Sequence, residues 1–206
     1  MAEPEQPQIY LISPAEFELG RFPDLLARVL DAHAVACVRL SLSSHDEDRL
    51  SRAADALREV TIARDVALVI DTHFVLADRL GLDGVHLADG SRSVRKARKH
   101  LGPDAIVGAF CGTSQHDGMS AGEAGADYIS FGPVGATALG DGSCAESDLF
   151  AWWSQMIELP VVAEGALNAG LIADLAPMTD FFAIGDEIWT QDDPVAALGD
   201  LKSAIA

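Results

Sequence analysis

The sequence predicts a single α/β domain folded as a closed barrel of eight βα units. Three observations carry that prediction. Short apolar segments, several rich in β-branched residues, alternate with helix-like segments eight times along 206 residues. No shift of composition divides the chain, so one domain spans 1–206, with residues 1–7 as a flexible, acidic, proline-containing N-terminus. Hydrophobic residues make up 49% of the chain and the mean hydropathy is +0.18, which suits a full core and argues against disorder.

The first strand falls at 8–12 and leads into Ser13-Pro-Ala-Glu-Phe17, a turn without glycine. A doubly wound sheet, the rival architecture, usually carries a glycine-rich turn there. Helix 21–32 and strand 34–40 follow, then Ser44 as the N-cap of helix 46–64, with acidic residues in its first turn. Strand 66–70 ends at Asp71, ahead of helix 74–80. Strand 84–87 lies within Leu82-Asp-Gly-Val-His-Leu-Ala-Asp-Gly90, ahead of helix 94–100. Strand 105–110 runs into Cys111 and Gly112, and helix 118–124 follows. Strand 128–131 lies within Gly125-Ala-Asp-Tyr-Ile-Ser-Phe-Gly-Pro133. A long loop, 132–146, is rich in Gly, Ala and Ser and reads either as a lid over the C-terminal face or as an inert connection to helix 147–157. Strand 160–163, helix 169–175, strand 181–184 and helix 194–205, opened by Pro194, complete the eight units.

The formal charge is −18, from 32 acidic residues against 14 Lys and Arg. Such a surface repels nucleic acid and anionic membranes, so neither is expected as a partner. The N-terminus lacks the basic-then-apolar pattern of a signal peptide, and no apolar run reaches a membrane span, so a cytoplasmic protein is expected. Cys37, Cys111 and Cys144 are far apart without a Cys-x-x-Cys, and read as reduced thiols.

In such a barrel a small-molecule ligand meets residues at the strand C-termini. The candidates there are Asp71, Asp89 and His116 for catalysis. Ser41, His86, Cys111, Gly132, Pro133, Glu164, Gly165, Gly185 and Asp186 are candidates for binding. Asp71, Asp89, Glu164, Asp186 and Glu187 share one rim with Arg39 and Arg92 as nearby cations, an acidic mouth suited to a cationic ligand or to paired acid and base. His86 either faces the ligand or is a hydrogen-bonded core residue. His116 is a general-base candidate, and Cys111 a nucleophile candidate with no paired histidine visible. No His-x-His or His-x-x-x-His pair points to zinc, and no metal ligand is assigned. Trp152 and Trp153 read as helix packing or, for the outward one, as a homodimer contact, and Trp189 as a cover for an apolar ligand.

Gly81-Leu-Asp-Gly-Val-His-Leu87, Gly125-Ala-Asp-Tyr128 with Gly132-Pro133, and Pro160-Val-Val-Ala-Glu-Gly165 together resemble the thiamine-phosphate synthase and thiazole tautomerase family. The resemblance covers nearly the whole chain in unit order and is specific over 66–137. It implies an eight-unit barrel acting in thiamine metabolism. The family synthase joins a pyrimidine pyrophosphate to a thiazole phosphate with Mg²⁺. On that correspondence the family's Gln-x-Arg-x-Lys falls on Arg39-Leu-Ser-Leu-Ser43, its Asn-Asp on Asp71-Thr72 and its magnesium aspartate on Ser91. The Ser and the His-Thr after strand five fall on Phe110 and Gly112-Thr113, and the Thr-x-Thr-Lys on Thr137-Ala-Leu-Gly140. The paired glycines fall on Gly165-Ala166, and the last serine falls near Asp186.

The resemblance therefore implies a member without the usual pyrophosphate and magnesium residues. Glu164 and Asp186 stand where a phosphate would dock. Two unit charges ~4 Å apart interact by about 1 kcal/mol in water and about 4 at an effective dielectric of ~20. In the tautomerase branch Leu87-Ala-Asp-Gly-Ser91 matches better, but its proton-transfer histidine falls on Gly112, which leaves His116 to substitute. Three functions stay open: an enzyme of thiazole phosphate metabolism, a diverged barrel binding a neutral or cationic small molecule at an acidic mouth, and a non-catalytic interaction protein.

Overall fold

The computed structural model describes residues 6–137, 139 and 142–205. Eight parallel strands close into a barrel in chain order: β1 (Gln8–Ile12), β2 (Cys37–Leu40), β3 (Ala67–Asp71), β4 (Gly84–Leu87), β5 (Ile106–Phe110), β6 (Tyr128–Phe131), β7 (Val161–Glu164) and β8 (Phe181–Ile184). The connecting helices are α1 (Phe22–Ala32), α2 (Glu47–Ile62), α3 (Phe74–Leu80), α4 (Val94–Leu101), α5 (Gln115–Ala124), α6 (Ser147–Met156) and α7 (Ala169–Leu175). A 3-10 turn at Ala176–Met178 extends α7, a four-residue α8 (Asp186–Trp189) follows β8, and α9 (Pro194–Lys202) ends the fold.

The strand alternation builds two cores. Outward-facing residues such as Leu11, Val38, Leu68, Val85, Val107, Ile129, Val161 and Ile184 pack under the helices. Inward-facing Tyr10, Val69, Tyr128, Val162 and Ala183 fill the barrel. Gly108 makes room for that filling, since a Cβ there would lie 2.0 Å from the Tyr128 ring.

The helices start where backbone amides find side-chain acceptors. Asp46, not Ser44, caps α2, accepting from the amides of Asp48 and Arg49. Its Oδ1 reaches both amides, whereas the Ser44 Oγ accepts from Asp46 itself. Ser114, Asn168 and Asp193 cap α5, α7 and α9. Because Ser114 opens α5 one turn early, His116 lies in its first turn.

A repeated device appears at the opposite, N-terminal end. Asp83, Asp127 and Asp180 each precede an even strand. Each accepts the amide of a neighbouring odd strand: Leu68 at 2.7 Å, Val107 at 2.7 Å and Val161 at 2.8 Å. Arg98 backs the middle one, pairing with Asp127 and donating to the carbonyls of Gly125 and Ala105.

No helix among the described residues is long and apolar enough to cross a membrane. Residues 1–5 of the expected flexible N-terminus lie outside the described residues. So do 138, 140 and 141 of the expected lid and of the Thr137–Gly140 segment.

Candidate functional site

The inward residues change character toward the C-terminal end of the barrel. Below, Tyr10, Tyr128 and His86 meet: the two tyrosine hydroxyls are 2.8 Å apart, and the Tyr128 hydroxyl lies 3.0 Å from His86 Nδ1. Burial, and after it the Arg39 charge, holds the His86 pKa well below its usual value. Burial raises both tyrosines. We assign one chain of donation from Tyr10 to Tyr128 to a neutral imidazole. His86 is 2% exposed, so its ring serves the core and its Nδ1 is spent on Tyr128.

Above this layer sits Arg39, whose side chain is 8% exposed. Its Nη2 donates to Glu164 Oε2 at 2.8 Å, and its Nε lies 3.3 Å from Asp71 Oδ1. Ser130 Oγ donates to the other Glu164 oxygen at 3.0 Å. Burial opposes the guanidinium charge, but Glu164 and then Asp71 outweigh it and keep Arg39 protonated. Arg39 Nη1 is buried without a hydrogen-bond partner among the described residues.

Glu164 therefore does not line the mouth as expected from the sequence. Its side chain points into the barrel, 2% exposed, with its charge matched by Arg39 and Ser130. Asp71 is the outer end of this series, with 32% of its side chain exposed. Burial raises its pKa, while Arg39 and the Ser41 hydroxyl pull the other way. The Ser41 amide donates to Ser13 Oγ at 2.9 Å, which ties the β1 and β2 ends together.

The remaining candidates separate. Cys111 is 5% exposed, and burial, helped by Asp117, pushes its thiol up to about 12, so it rests as a neutral thiol and no ready nucleophile. His116, Asp89 and Asp186 are exposed, and Asp89 Oδ2 accepts from Ser93 at 2.7 Å. Gly132 and Pro133 are buried and joined by a cis peptide bond. A Cβ on Gly132 would lie 2.3 Å from the Glu164 carbonyl, so only glycine fits between β6 and β7. Gly165, at φ +92°, and Ala166, at φ +56°, form the left-handed turn after β7, and the Gly165 carbonyl accepts from Val134 and Gly135. Gly185 is buried at the end of β8 and donates its amide to Glu187 Oε2 at 2.7 Å. Trp189 is tied down beside β1: its Nε1 donates to the Ile12 carbonyl at 2.6 Å and its ring meets Phe22 edge-on. Trp153 is buried, donating to the Leu159 carbonyl, and Trp152 packs half-buried beside it.

Magnesium would find few uncommitted carboxylates of this chain at the mouth. The ion requires near-octahedral oxygen donors. Asp71 Oδ1 faces a guanidinium, Asp89 is engaged by Ser93, and Ser91 supplies no charge. Among the described residues no group of three or more His, Cys, Asp and Glu is placed to hold a metal ion.

Tyr10, Tyr128 and Ser130 were not singled out as site residues by sequence, and Glu187 was read only as one of the rim acids. The signal for Tyr128 and Ser130 was present, since alternate positions along a strand share a face. For Glu187 the sequence showed a rim acid but not where it points, because both its partners are backbone amides: Leu167 at 3.0 Å and Gly185.

Fold and site define a (β/α)₈ barrel with its polar groups gathered at the C-terminal strand ends, the usual place for a small-molecule site. The family model for thiamine monophosphate synthase matches residues 9–184, and the chain belongs to that family. It is 38% identical to a thiamine-phosphate synthase of Rhodospirillum centenum, over 95% of this chain and 96% of that one. It is 39% identical to a thiamine-phosphate synthase of Erythrobacter litoralis, over 95% of each. Among solved structures, the thiamine phosphate pyrophosphorylase from Pyrococcus furiosus superposes with a TM-score of 0.83 at 20% identity, covering 96% of this chain and 95% of that one.

Proposed function

We propose that this barrel serves thiamine metabolism by binding a thiamine-type ring compound, neutral or cationic, at the C-terminal mouth. The observation that carries the reading is the series Glu164, Arg39, Asp71. It presents one partly exposed carboxylate at the mouth and keeps its countercharge below. A carboxylate held this way accepts from a ring amine or faces a thiazolium cation. Family membership supports the compound class, and the serines at 41, 43 and 91 support a ligand without pyrophosphate.

The test is isothermal titration at low ionic strength with the thiazole alcohol, its phosphate ester, thiamine and thiamine phosphate. Micromolar binding of at least one, weakened about tenfold or more by Asp71→Asn, is the expected result. No binding at millimolar concentration of any of the four would sink the reading.

A second reading, synthase turnover itself, is favoured by the curated relatives at 38% and 39% identity over 95% of the chain. It requires thiamine phosphate and pyrophosphate to appear together when the pyrimidine pyrophosphate and the thiazole phosphate are supplied with Mg²⁺.

A further inference from the structure

We propose that Glu187 is a specificity-determining residue. Its carboxylate stands in for a ligand phosphate and turns the mouth toward the unphosphorylated form of its ligand. The compound class rests on the reading above; the role of Glu187 rests on its own geometry.

Barrels of this architecture frequently hold phosphate on the loops after strands seven and eight, beside a short extra helix. This chain has the extra helix, α8, and it has amides from both loops converging on one anion. Leu167, after β7, donates its amide to Glu187 Oε1 at 3.0 Å. Gly185, at the end of β8, donates its amide to Oε2 at 2.7 Å. One carboxylate thus bridges two loops with one amide per oxygen, as a phosphate would.

A backbone N–H is a single donor and does not serve two anions equally well. Glu187 is tethered two residues from Gly185, so an incoming phosphate competes with an intramolecular ligand at an effective concentration of about millimolar or above. The surroundings give the newcomer little compensation. Asp186 is exposed beside the clamp, Arg39 turns two of its three nitrogens to Glu164 and Asp71 and keeps Nη1 buried, and serines occupy positions 41 and 43. An alcohol asks nothing of the two amides and enters without displacing Glu187.

A purely structural Glu187, tying α8 to the β7 loop, predicts lost stability on substitution and unchanged phosphate affinity. The experiment separates the two. Amide resonances of Leu167 and Gly185 are followed during titration with inorganic phosphate, in the wild type, Glu187→Ala and Glu187→Gln. The same proteins are titrated calorimetrically with the thiazole alcohol and its phosphate ester. The wild-type amides are expected to stay still at millimolar phosphate and to shift in Glu187→Ala. The ester is expected to gain about tenfold or more in affinity in that variant, with the alcohol little changed. Should Glu187→Ala fail to fold, Glu187→Gln, which keeps the side-chain volume and loses the charge, reads the same shift.

Wild-type amides that shift at millimolar phosphate, a wild type that binds the ester at least as tightly as the alcohol, or charge-free variants with no gain in phosphate binding would each overturn the proposal. If neither thiazole compound binds but phosphate shifts the amides of the variants alone, the role of Glu187 stands and the thiamine-type reading fails.

Discussion

Arg39 and Glu164 are 125 residues apart in the chain and 2.8 Å apart in the barrel. From sequence, Glu164 counted as a negative charge at the phosphate position, because nothing local reveals its partner. The alternation of β2 and β7 did carry the information that both side chains face inward, but not that they meet. Removing one member of a buried pair leaves the other uncompensated. Arg39→Met is therefore expected to cost about 3–5 kcal/mol in urea unfolding. Glu164→Gln should cost about 1–3, since Arg39 keeps Asp71. The double variant should be more stable than the sum of the two losses implies by at least about 1 kcal/mol; simple additivity would show that the pair is not coupled. His86 gives a pH signature. Its folded pKa is depressed, so the unfolded chain binds the proton that the native barrel refuses. The stability from the neutral imidazole is complete above about pH 6.5 and is lost below it, at up to about 1.4 kcal/mol per pH unit. Urea titrations at pH 7, 6 and 5 should show this slope in the wild type and a shallower one in His86→Gln. Equal slopes would remove His86 from the account.

The element pattern was the most legible part of the sequence. Strands 8–12, 84–87, 128–131 and 181–184 and helices 74–80 and 169–175 fall where apolar runs and turn residues put them. The others differ by a few residues at their ends, where caps rather than periodicity decide. The short helix Asp186–Trp189 escaped notice because four residues carry no period. The segments Leu82-Asp-Gly and Gly125-Ala-Asp-Tyr carry the family resemblance, and their aspartates act at the far end of the barrel. Asp83, Asp127 and Asp180 each tie an odd strand to the next even one. They belong to the face of the fold that reads as stability. Asp127→Ala strips the Val107 amide of its acceptor and Arg98 of its ion pair, and is expected to cost about 1–3 kcal/mol in thermal or urea unfolding while leaving ligand affinity at the mouth unchanged. A loss of affinity without a loss of stability would contradict that division between the two ends.

At the scale of the whole molecule, eight βα units and a charge of −18 make an acidic barrel whose interior turns polar near its mouth. The family follows from the chain as a whole, and the finer chemistry follows from how three carboxylates are disposed. Glu164 has its charge matched inside, Glu187 is folded onto two amides, and Asp71 stands at the end of the Arg39 series with 32% of its side chain exposed. The sequence displays these acids as one undifferentiated rim, because orientation depends on strand register and on partners far along the chain. The most direct test of this disposition is calorimetric titration of the wild type with the thiazole alcohol and thiamine, repeated with Asp71→Asn. Micromolar binding that falls about tenfold or more in the variant is the predicted result. Binding of neither compound at millimolar concentration, or binding that Asp71→Asn leaves untouched, would contradict the account.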